Sequence, residues 1–194
     1  MSFLLGLTGS IGMGKSTTAA MFADAGIPVW DADQAVHEIY AHDQEVIDAI
    51  RDFAPTAIGE AGVDRAALSA VLKEDPTLIA QIEATVHPKV AVHRSDFIAA
   101  HAAADLIVLD IPLIYEKDMA DQFDAVLVVT TDEETQRSRV MARDGMTEVK
   151  FMMIRNMQVP DDVKREKADY VIETKTLPQT EKAVQDLIEK IRAA

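Results

Sequence analysis

The residues with the clearest chemical potential form one glycine-rich stretch, Gly9–Ser16, which has the sequence Gly-Ser-Ile-Gly-Met-Gly-Lys-Ser. The pattern Gly-x-x-x-x-Gly-Lys-Ser/Thr is typical of phosphate-binding loops, in which glycines let successive backbone N–H groups turn toward an anion. In such a loop Lys15 reaches the β- and γ-phosphates and the Ser16 hydroxyl coordinates Mg²⁺. A plain glycine-rich turn is the alternative, but an apolar run precedes the stretch and a helix-like segment follows it. The sequence therefore predicts a nucleoside triphosphate site.

Two acids, Asp31 and Asp33, follow the second apolar run, Ile27–Trp30. Ligands of open parallel sheets bind beyond the carboxyl ends of the strands, so a carboxylate here would stand close to the γ-phosphate. It would then accept the proton of an attacking hydroxyl, as an aspartate does in kinases. Alternatively, either aspartate would serve as the N-cap of a helix that begins near Gln34. The residues alone leave both roles open for both side chains.

A third acid, Asp110, ends the apolar run Leu106–Asp110. Such a run resembles the Walker-B strand of nucleotide-binding proteins, whose aspartate supports Mg²⁺ directly or through water. Short apolar runs that end in aspartate are common, so the pattern is informative only together with the glycine-rich stretch. On this reasoning Ser16 and Asp110 are the predicted metal ligands.

Two arginines, Arg139 and Arg143, lie four residues apart on a predicted helix that opens with a capping box, Thr131–Glu134, and breaks at Asp144-Gly145. Residues with this spacing share one helical face. Two guanidinium groups on that face suit the β- and γ-phosphates of a nucleotide, and a closing lid would bring them in. The alternative is a solvated face on which the arginines pair with nearby acids.

Short apolar runs alternate with helical stretches, which favours an α/β protein with a mostly parallel sheet. The predicted strands are Phe3–Thr8, Ile27–Trp30, Leu106–Asp110, Ala125–Val129 and Tyr170–Ile172. The closing segment from Gln179 to Arg192 has the spacing of an amphipathic helix, and its predicted inward residues are Val184, Leu187, Ile188 and Ile191.

The region 41–104 contains no predicted strand. Asp64 and Asp75 instead have the pattern of helix N-caps, and the second is followed by a proline. Glu60–Gly62 is predicted as a turn between helices, and His87-Pro88 as a break between two helices. We therefore expect a helical insertion beside the sheet, where a second substrate binds.

The composition restricts the class of protein. The chain has 194 residues, 48% of them hydrophobic and 27% charged, which is typical of a globular protein with one substantial core. Its net charge of −14 argues against a nucleic-acid surface, so a site for a polyanion must gather Lys and Arg locally. The absence of cysteine excludes disulfides and a catalytic thiol. Without a signal-like or long apolar segment, we expect a cytoplasmic protein with no membrane partner.

Several further segments combine with these motifs. The full set is Leu7–Thr17, Asp31–Asp33, Gly62–Arg65, His87-Pro88, Ile111–Glu116, Gln136-x-x-Arg139-x-x-x-Arg143, Gln158-x-Pro160 and Ala168–Ile172. Their order and spacing resemble the dephospho-coenzyme A kinase family over nearly the whole chain. The resemblance implies a P-loop nucleoside triphosphate hydrolase-like three-layer fold, with a five-stranded parallel sheet, a helical insertion and a lid. Residues 1–40 and 105–194 would form the nucleotide-binding core, with the lid at 137–160, and 41–104 the acceptor-substrate insertion.

The resemblance also implies roles for single residues. ATP would be held by Gly9, Ile11, Gly12, Met13, Gly14, Lys15, Ser16, Thr17 and Arg143. Asp33 would be the general base on the ribose 3′-hydroxyl and would share the substrate site with Asp31. Lys15, Arg139 and Arg143 would complete the catalytic group. Arg65 and His87 would lie in or near the acceptor-substrate region.

The chain departs from the family pattern at a few positions. Ser10 and Met13 stand where the family more often has Gly and Ser. Ile154 occupies a position where arginine is frequent, and Arg155 is one place off. Glu173-Thr174 replaces a common Asp-Asn pair. These differences concern the details of the adenine and lid contacts.

The implied activity is ATP-dependent phosphorylation of the ribose 3′-hydroxyl of dephospho-coenzyme A, the last step of coenzyme A biosynthesis, with Mg²⁺ as cofactor and a monomer as the expected state. A kinase for a nucleoside or a nucleoside monophosphate would have a similar motif set. A nucleotide-switched GTPase usually has an Asn-Lys-x-Asp motif, which the sequence lacks. Asp33, Ser16 and the arginines argue against a non-catalytic nucleotide-binding regulator.

Overall fold

The computed structural model describes residues 2–193. The strands are β1 (Phe3–Thr8), β2 (Val29–Asp31), β3 (Ile58–Gly59), β4 (Gly62–Val63), β5 (Leu106–Asp110), β6 (Ala125–Thr130) and β7 (Tyr170–Glu173). The α-helices are α1 (Lys15–Asp24), α2 (Ala32–His42), α3 (Gln44–Phe53), α4 (Arg65–Glu74), α5 (Ile79–Ala100), α6 (Glu133–Met141), α7 (Glu148–Asn156), α8 (Asp161–Lys167) and α9 (Leu177–Arg192). Short 3₁₀ turns occur at Pro55–Ala57, Pro76–Leu78 and Ala120–Gln122. The described residues divide into two compact units, of which unit 1 comprises 2–30 and 101–193 and unit 2 is Asp31–Ala100.

Unit 1 is built on a five-stranded parallel sheet with the strand order β2-β5-β1-β6-β7. Leu5 in the central strand pairs with Val108 on one side and Ala125 on the other. Every residue of β5 and β6 is buried, as expected for strands of a parallel sheet that helices cover on both faces. The predicted sheet and fold class are confirmed.

The strand boundaries follow the apolar runs closely. β1 and β5 have the predicted ends, and β6 and β7 each extend one residue further. β2 begins at Val29, two residues later than predicted. Pro28 has no N–H to donate to a ladder, although its carbonyl oxygen accepts a hydrogen bond from the Val108 N–H at 2.9 Å.

The helices α1 and α9 pack against each other in unit 1. They contribute to one hydrophobic cluster with the strands, which includes Leu5, Leu7, Phe22 and Val108. The four residues predicted to face inward from the closing helix are all buried, so its amphipathic character is confirmed. Burial of this apolar surface stabilises the end of the chain against the sheet.

Unit 2 is mainly helical and has its own hydrophobic cluster, which includes Ile39, Val46, Ile50 and Leu68. Helix α2 belongs to this unit because it packs against α3, α5 and β4. The unit therefore begins at Asp31, ten residues before the predicted start of the insertion.

A small hairpin corrects the prediction of a region without strands. β3 and β4 pair antiparallel, with Ile58 opposite Val63. The turn predicted between helices thus joins two strands. Gly62 has a φ of 97°, and a Cβ atom there would clash with the Tyr40 carbonyl oxygen, so only glycine fits.

Two predictions about where helices begin or end are also wrong. His87-Pro88 does not separate two helices, because both residues lie inside α5, a single helix of 22 residues. One proline removes a single backbone hydrogen bond, while Ile82 and Val86 of the same helix are buried. The N-cap of α6 is Asp132, whose carboxylate accepts the Thr135 N–H at 2.8 Å, rather than the first residue of the predicted capping box. No helix in the described residues 2–193 is both long and apolar enough to span a membrane.

Candidate phosphate-binding site

The glycine-rich stretch joins β1 to α1 in a tight loop. Gly12 and Gly14 have φ angles of 79° and 90°, in the left-handed region that glycine adopts readily. A Cβ atom on Gly12 would lie 2.5 Å from Cγ2 of Val140, and one on Gly14 would lie 2.9 Å from Oγ1 of Thr174. A Cβ atom on Gly9 would lie 2.6 Å from Cγ2 of Val129. The loop therefore requires glycine for space, and at two positions also for backbone conformation.

Helix α1 begins directly after the loop at Lys15, with Gly14 as its N-cap. Within residues 2–193, this first turn receives no hydrogen bond from a capping side chain. Its backbone N–H groups and the positive end of the helix dipole are therefore available to an anion. Ser16 and Thr17 are exposed here, whereas Thr18 is buried and its hydroxyl donates to the Gly14 carbonyl oxygen at 3.1 Å. The predicted nucleotide contacts of this segment thus lie together.

Lys15 contacts Asp110, the aspartate that was predicted to support Mg²⁺. Its Nζ lies 2.5 Å from Oδ1 of Asp110, whose side chain has no exposed surface. Asp110 is the last residue of β5 and pairs in register with Leu7 of β1, just before the loop. The parallel pairing of these two strands therefore brings the predicted lysine and the predicted Walker-B aspartate together.

Thr174 is a residue of this site that the sequence did not reveal. It is buried, and its hydroxyl donates to the Met13 carbonyl oxygen at 2.8 Å. Arg139 donates from its guanidinium group to the same hydroxyl at 3.0 Å and to the Thr174 carbonyl oxygen at 2.5 Å. The end of β7 thus ties the loop to Arg139. The only signal in the sequence was the departure from the family pattern at Thr174.

Arg143 does not share a helical face with Arg139, which corrects the prediction. Helix α6 ends at Met141, and the Arg143 N–H donates to the Val140 carbonyl oxygen in a tighter turn. Gly145 follows with a φ of 67°, so the chain has already left the helix. The Arg143 side chain is exposed.

Ion pairs link the two helices of the predicted lid. Arg137 on α6 pairs with Glu148 on α7 at 2.7 Å. Arg155, the arginine one place from the family position, pairs with Glu133. Both pairs are exposed, so each contributes little stability on its own. They are consistent with α6 and α7 packing as a pair.

The two unusual loop positions, Ser10 and Met13, are both buried. Among the described residues, Asp118 is the only non-glycine with a positive φ, so the Ser10 backbone suits an ordinary side chain. The Ser10 carbonyl oxygen accepts the Met13 N–H at 3.1 Å. The Met13 Sδ atom accepts a hydrogen bond from the Thr131 N–H at 3.2 Å. Local packing thus accommodates both departures.

Asp31 and Asp33 have different environments in unit 2. Asp31 is the N-cap of α2, and its carboxylate accepts the Gln34 N–H at 2.9 Å. Asp33 lies in the first turn of the same helix and is exposed. The N-cap role therefore belongs to Asp31, which leaves the Asp33 carboxylate for other contacts.

The two basic residues predicted for the acceptor region also lie in unit 2. Arg65 is the first residue of α4 and is exposed. Burial raises the pKa of the Tyr40 hydroxyl, and the nearby Arg65 charge opposes this shift. His87 is an exposed residue of α5, with Nε2 3.9 Å from Oε1 of Glu83. Arg65 and His87 thus lie on different helices, and none of their contacts among the described residues joins one to the other.

The parallel sheet, with a phosphate-binding loop between its central strand and the following helix, is that of a P-loop nucleoside triphosphate-binding protein. The family model for dephospho-CoA kinase matches residues 3–179. The dephospho-CoA kinase of Jannaschia sp. strain CCS1 is 50% identical over 191 residues, which cover 98% of each chain. That of Cereibacter sphaeroides is 48% identical, over 98% of this chain and 96% of the relative. The chain therefore belongs to the dephospho-CoA kinase family.

A solved structure shares this fold over nearly the whole chain. A crystal structure from Thermus thermophilus superposes with a TM-score of 0.83 and 31% sequence identity, and the match covers 97% of both chains. The likeness extends over nearly the whole chain, so both the sheet and the helical unit have counterparts in that structure.

Proposed function

We propose that the chain transfers the γ-phosphoryl group of ATP to the ribose 3′-hydroxyl of dephospho-coenzyme A and releases coenzyme A and ADP. The observation that carries the proposal is the loop between β1 and α1, with Lys15 at the helix start and Asp110 beside it, in a chain of this family. ATP is the co-substrate of a kinase of this family.

The donor side of the reaction would use the loop. The backbone N–H groups at the start of α1 would bind the phosphate oxygens, and Lys15 would exchange its contact with Asp110 for one with the β- and γ-phosphates. These groups are fixed before the reaction begins, so they stabilise the developing charge without reorganisation. Most of the catalysis would therefore come from positioning and charge neutralisation.

The donor set at the loop fits Mg²⁺. Mg²⁺ prefers oxygen ligands, keeps several waters, and is held by one or two carboxylates together with substrate phosphates. Ser16 supplies an exposed hydroxyl, and Asp110 a carboxylate within reach of the loop lysine. Residues 2–193 contain no group of three or more His, Cys, Asp or Glu that could hold a metal ion by itself. When bound, Mg²⁺ would neutralise charge on the β- and γ-phosphates.

The acceptor side would use Asp33. Its exposed carboxylate, which does not cap α2, would accept the proton of the ribose 3′-hydroxyl. The oxygen then bonds to the γ-phosphorus, the bond to the β,γ-bridging oxygen breaks, and its electron pair leaves with ADP. Asp31 would hold the first turn of α2, and hence Asp33, in place. Unit 2 would bind the acceptor substrate. Arg65 and His87 would contribute positive charge or hydrogen bonds to it.

Arg139 and Arg143 would act at the nucleotide in different ways. Arg139 is bonded to Thr174, next to the loop, and would stabilise the transferring phosphoryl group from a fixed position. Arg143 lies in the exposed turn after α6 and would reach the nucleotide only when the segment 137–160 closes. We further propose that the enzyme acts as a cytoplasmic monomer without nucleic-acid or membrane partners.

A coupled assay of ADP release tests the proposed activity. Purified protein is incubated with ATP and Mg²⁺, with and without dephospho-coenzyme A, and the product mass is determined. We expect ADP release to depend on the acceptor and the acceptor to gain one phosphoryl group. A nucleoside and a nucleoside monophosphate serve as competing acceptors, and preference for either would contradict the proposal. ADP release that is no faster with dephospho-coenzyme A than with water would do so too.

A further inference from the structure

Two glutamine side chains bind the backbone of the same loop residue, Ile11. The Gln136 side chain donates from Nε2 to the Ile11 carbonyl oxygen at 2.7 Å. The Gln158 side chain accepts at Oε1 from the Ile11 N–H at 3.0 Å. Because a carbonyl can only accept and an N–H can only donate, the partners fix which end of each amide faces the loop. Gln136 is 98% buried, with a relative exposure of 2%.

These bonds set the orientation of two successive peptide planes. In a planar trans peptide the C=O and N–H bonds point in opposite directions. Gln136 holds the Ile11 carbonyl group, so it also directs the Gly12 N–H away from α6. Gln158 holds the Ile11 N–H, and so also directs the Ser10 carbonyl group, which accepts the Met13 N–H at 3.1 Å. The two glutamines thereby fix the part of the loop whose N–H groups begin the phosphate cradle.

Each glutamine is itself held by its own segment. Gln136 lies on α6, which packs so closely on the loop that Val140 fills the space beside Gly12. Gln158 lies just after α7, and the Val159 N–H that follows it donates to Oε1 of Glu116 at 2.9 Å.

A buried ion pair supports the same junction. Nζ of Lys164 lies 2.7 Å from Oε1 of Glu116, and the Lys164 side chain is fully buried. A buried pair of this kind is strongly destabilising to break, so it holds Glu116, and through it the Gln158 segment, in place.

We propose that Gln136 and Gln158 are positioning residues for the nucleotide: they act through the Ile11 backbone, Gln136 as a hydrogen-bond donor and Gln158 as an acceptor, to keep the loop N–H groups turned toward the phosphates. The proposal rests on the proposed function only in that ATP binds this loop. The acceptor substrate plays no part in it.

The opposite polarity of the two bonds gives a matched test. An ionised glutamate accepts hydrogen bonds but does not donate them. Burial beside a carbonyl oxygen favours the protonated form of a glutamate at position 136, which would still donate a hydrogen bond, so the variants are compared at about pH 9. With both carboxyls ionised, Gln158→Glu keeps the bond to Ile11, whereas Gln136→Glu loses it. Once ionised, both variants add one negative charge beside the same residue, Ile11, which makes them a matched pair in charge. The dissociation constants for ATP and ADP are measured by calorimetry without dephospho-coenzyme A. In a separate assay with dephospho-coenzyme A, kcat and the KM for ATP are measured.

We expect Gln136→Glu to bind ATP about tenfold more weakly than Gln158→Glu, the effect of one lost hydrogen bond. Gln136→Met and Gln158→Met, which remove the amide donor and replace the amide oxygen with a weakly accepting sulfur, should each weaken ATP binding by about tenfold relative to the parent. Gln185→Met, an exposed change on α9, is the control and should leave the dissociation constant unchanged.

Equal affinities for the two glutamate variants, or unchanged affinities for the two methionine variants, would overturn the proposal. Thermal melts identify variants that do not fold. If buried Gln136 tolerates no change, Gln158→Met against Gln158→Glu decides alone, because only the second keeps a strong oxygen acceptor. A parent protein that binds ATP but does not phosphorylate dephospho-coenzyme A would refute the proposed activity and leave this comparison valid.

Discussion

Nζ of Lys15 lies 2.5 Å from Oδ1 of Asp110, although the first residue begins α1 and the second ends β5. The aspartate side chain has no exposed surface, and the lysine side chain is only 15% exposed. A carboxylate so deeply buried is costly without a cation beside it. The pair therefore keeps the loop lysine close to the sheet, where an incoming phosphate would compete with Asp110 for the same ammonium group.

This pair predicts a stability effect that is separate from catalysis. Lys15→Met removes the cation and should lower the free energy of unfolding by about 3 kcal/mol, because the buried carboxylate loses its counter-charge. Adding Asp110→Asn removes that charge, so the double variant should be more stable than Lys15→Met by at least about 1 kcal/mol. Urea denaturation of the parent, both single variants and the double variant gives the four values. If the stability loss of the double variant equalled the sum of the losses of the two single variants, the interaction between Lys15 and Asp110 would be contradicted.

The different roles of Asp31 and Asp33 predict different effects of their removal. Asp33→Asn keeps the size of the side chain but removes the proposed base, so kcat should fall by on the order of 10²-fold or more with little change in ATP affinity. The measurement is steady-state turnover together with ATP binding by calorimetry. Near-normal turnover in Asp33→Asn would point to Asp31 as the base, or to catalysis by positioning alone.

The matched control for this experiment is Asp31→Ala. Asp31 caps α2 through its bond to the Gln34 N–H, so its replacement should lower the free energy of unfolding by about 1 kcal/mol. Asp33 has no part in the cap, so Asp33→Asn should unfold at nearly the same denaturant concentration as the parent.

The sheet and the loop could be predicted because their signals are local. β5 and β6 are continuous apolar runs, and the spacing of glycine, lysine and serine in Gly9–Ser16 specifies the turn into α1 without any other part of the chain. The hairpin of β3 and β4 has strands of only two residues, which is too short for any periodicity to show.

The rest of the site depends on contacts between distant parts of the chain. Thr174 reaches the Met13 carbonyl oxygen across 161 residues, and Gln158 reaches Ile11 across 147. Residue types at such separations give no spacing signal. The choice between Asp31 and Asp33 also could not be made from the residues alone, because both are good N-caps and only the backbone geometry decides where the helix begins.

The cap of α6 predicts a change in acid stability. The Thr135 backbone N–H and then the Thr135 hydroxyl donate to the Asp132 carboxylate, and these bonds hold its pKa below its ordinary value of 3.8. A carboxyl with a lowered pKa in the folded state stabilises the protein above the unfolded pKa, and this contribution is lost as the pH falls through the folded value. Asparagine caps a helix equally well but does not titrate. Below about pH 4, the Tm of Asp132→Asn should therefore fall less steeply than that of the parent. Parallel curves of Tm against pH would contradict the assignment.

Two glycines with the same backbone angle separate the effect of conformation from that of packing. Gly12 and Gly26 both have a φ of 79°. A Cβ atom on Gly26 would meet no atom of the described residues within 4 Å, whereas one on Gly12 would lie 2.5 Å from Val140 Cγ2 and 3.0 Å from the Gln136 carbonyl oxygen. Gly26→Ala should therefore cost about 1 kcal/mol of stability, which is the strain of the left-handed conformation alone.

Gly12→Ala carries the same strain and must also displace α6 from the loop. We expect it to lower the free energy of unfolding by about 3 kcal/mol, since overpacking adds to the strain. ATP should bind at least about tenfold more weakly, because the Gly12 N–H would turn with the displaced backbone. Denaturant unfolding and calorimetric titration of both variants measure the two effects. Equal stability losses with unchanged ATP affinity would mean that the close packing of α6 on the loop has no role in forming the nucleotide site.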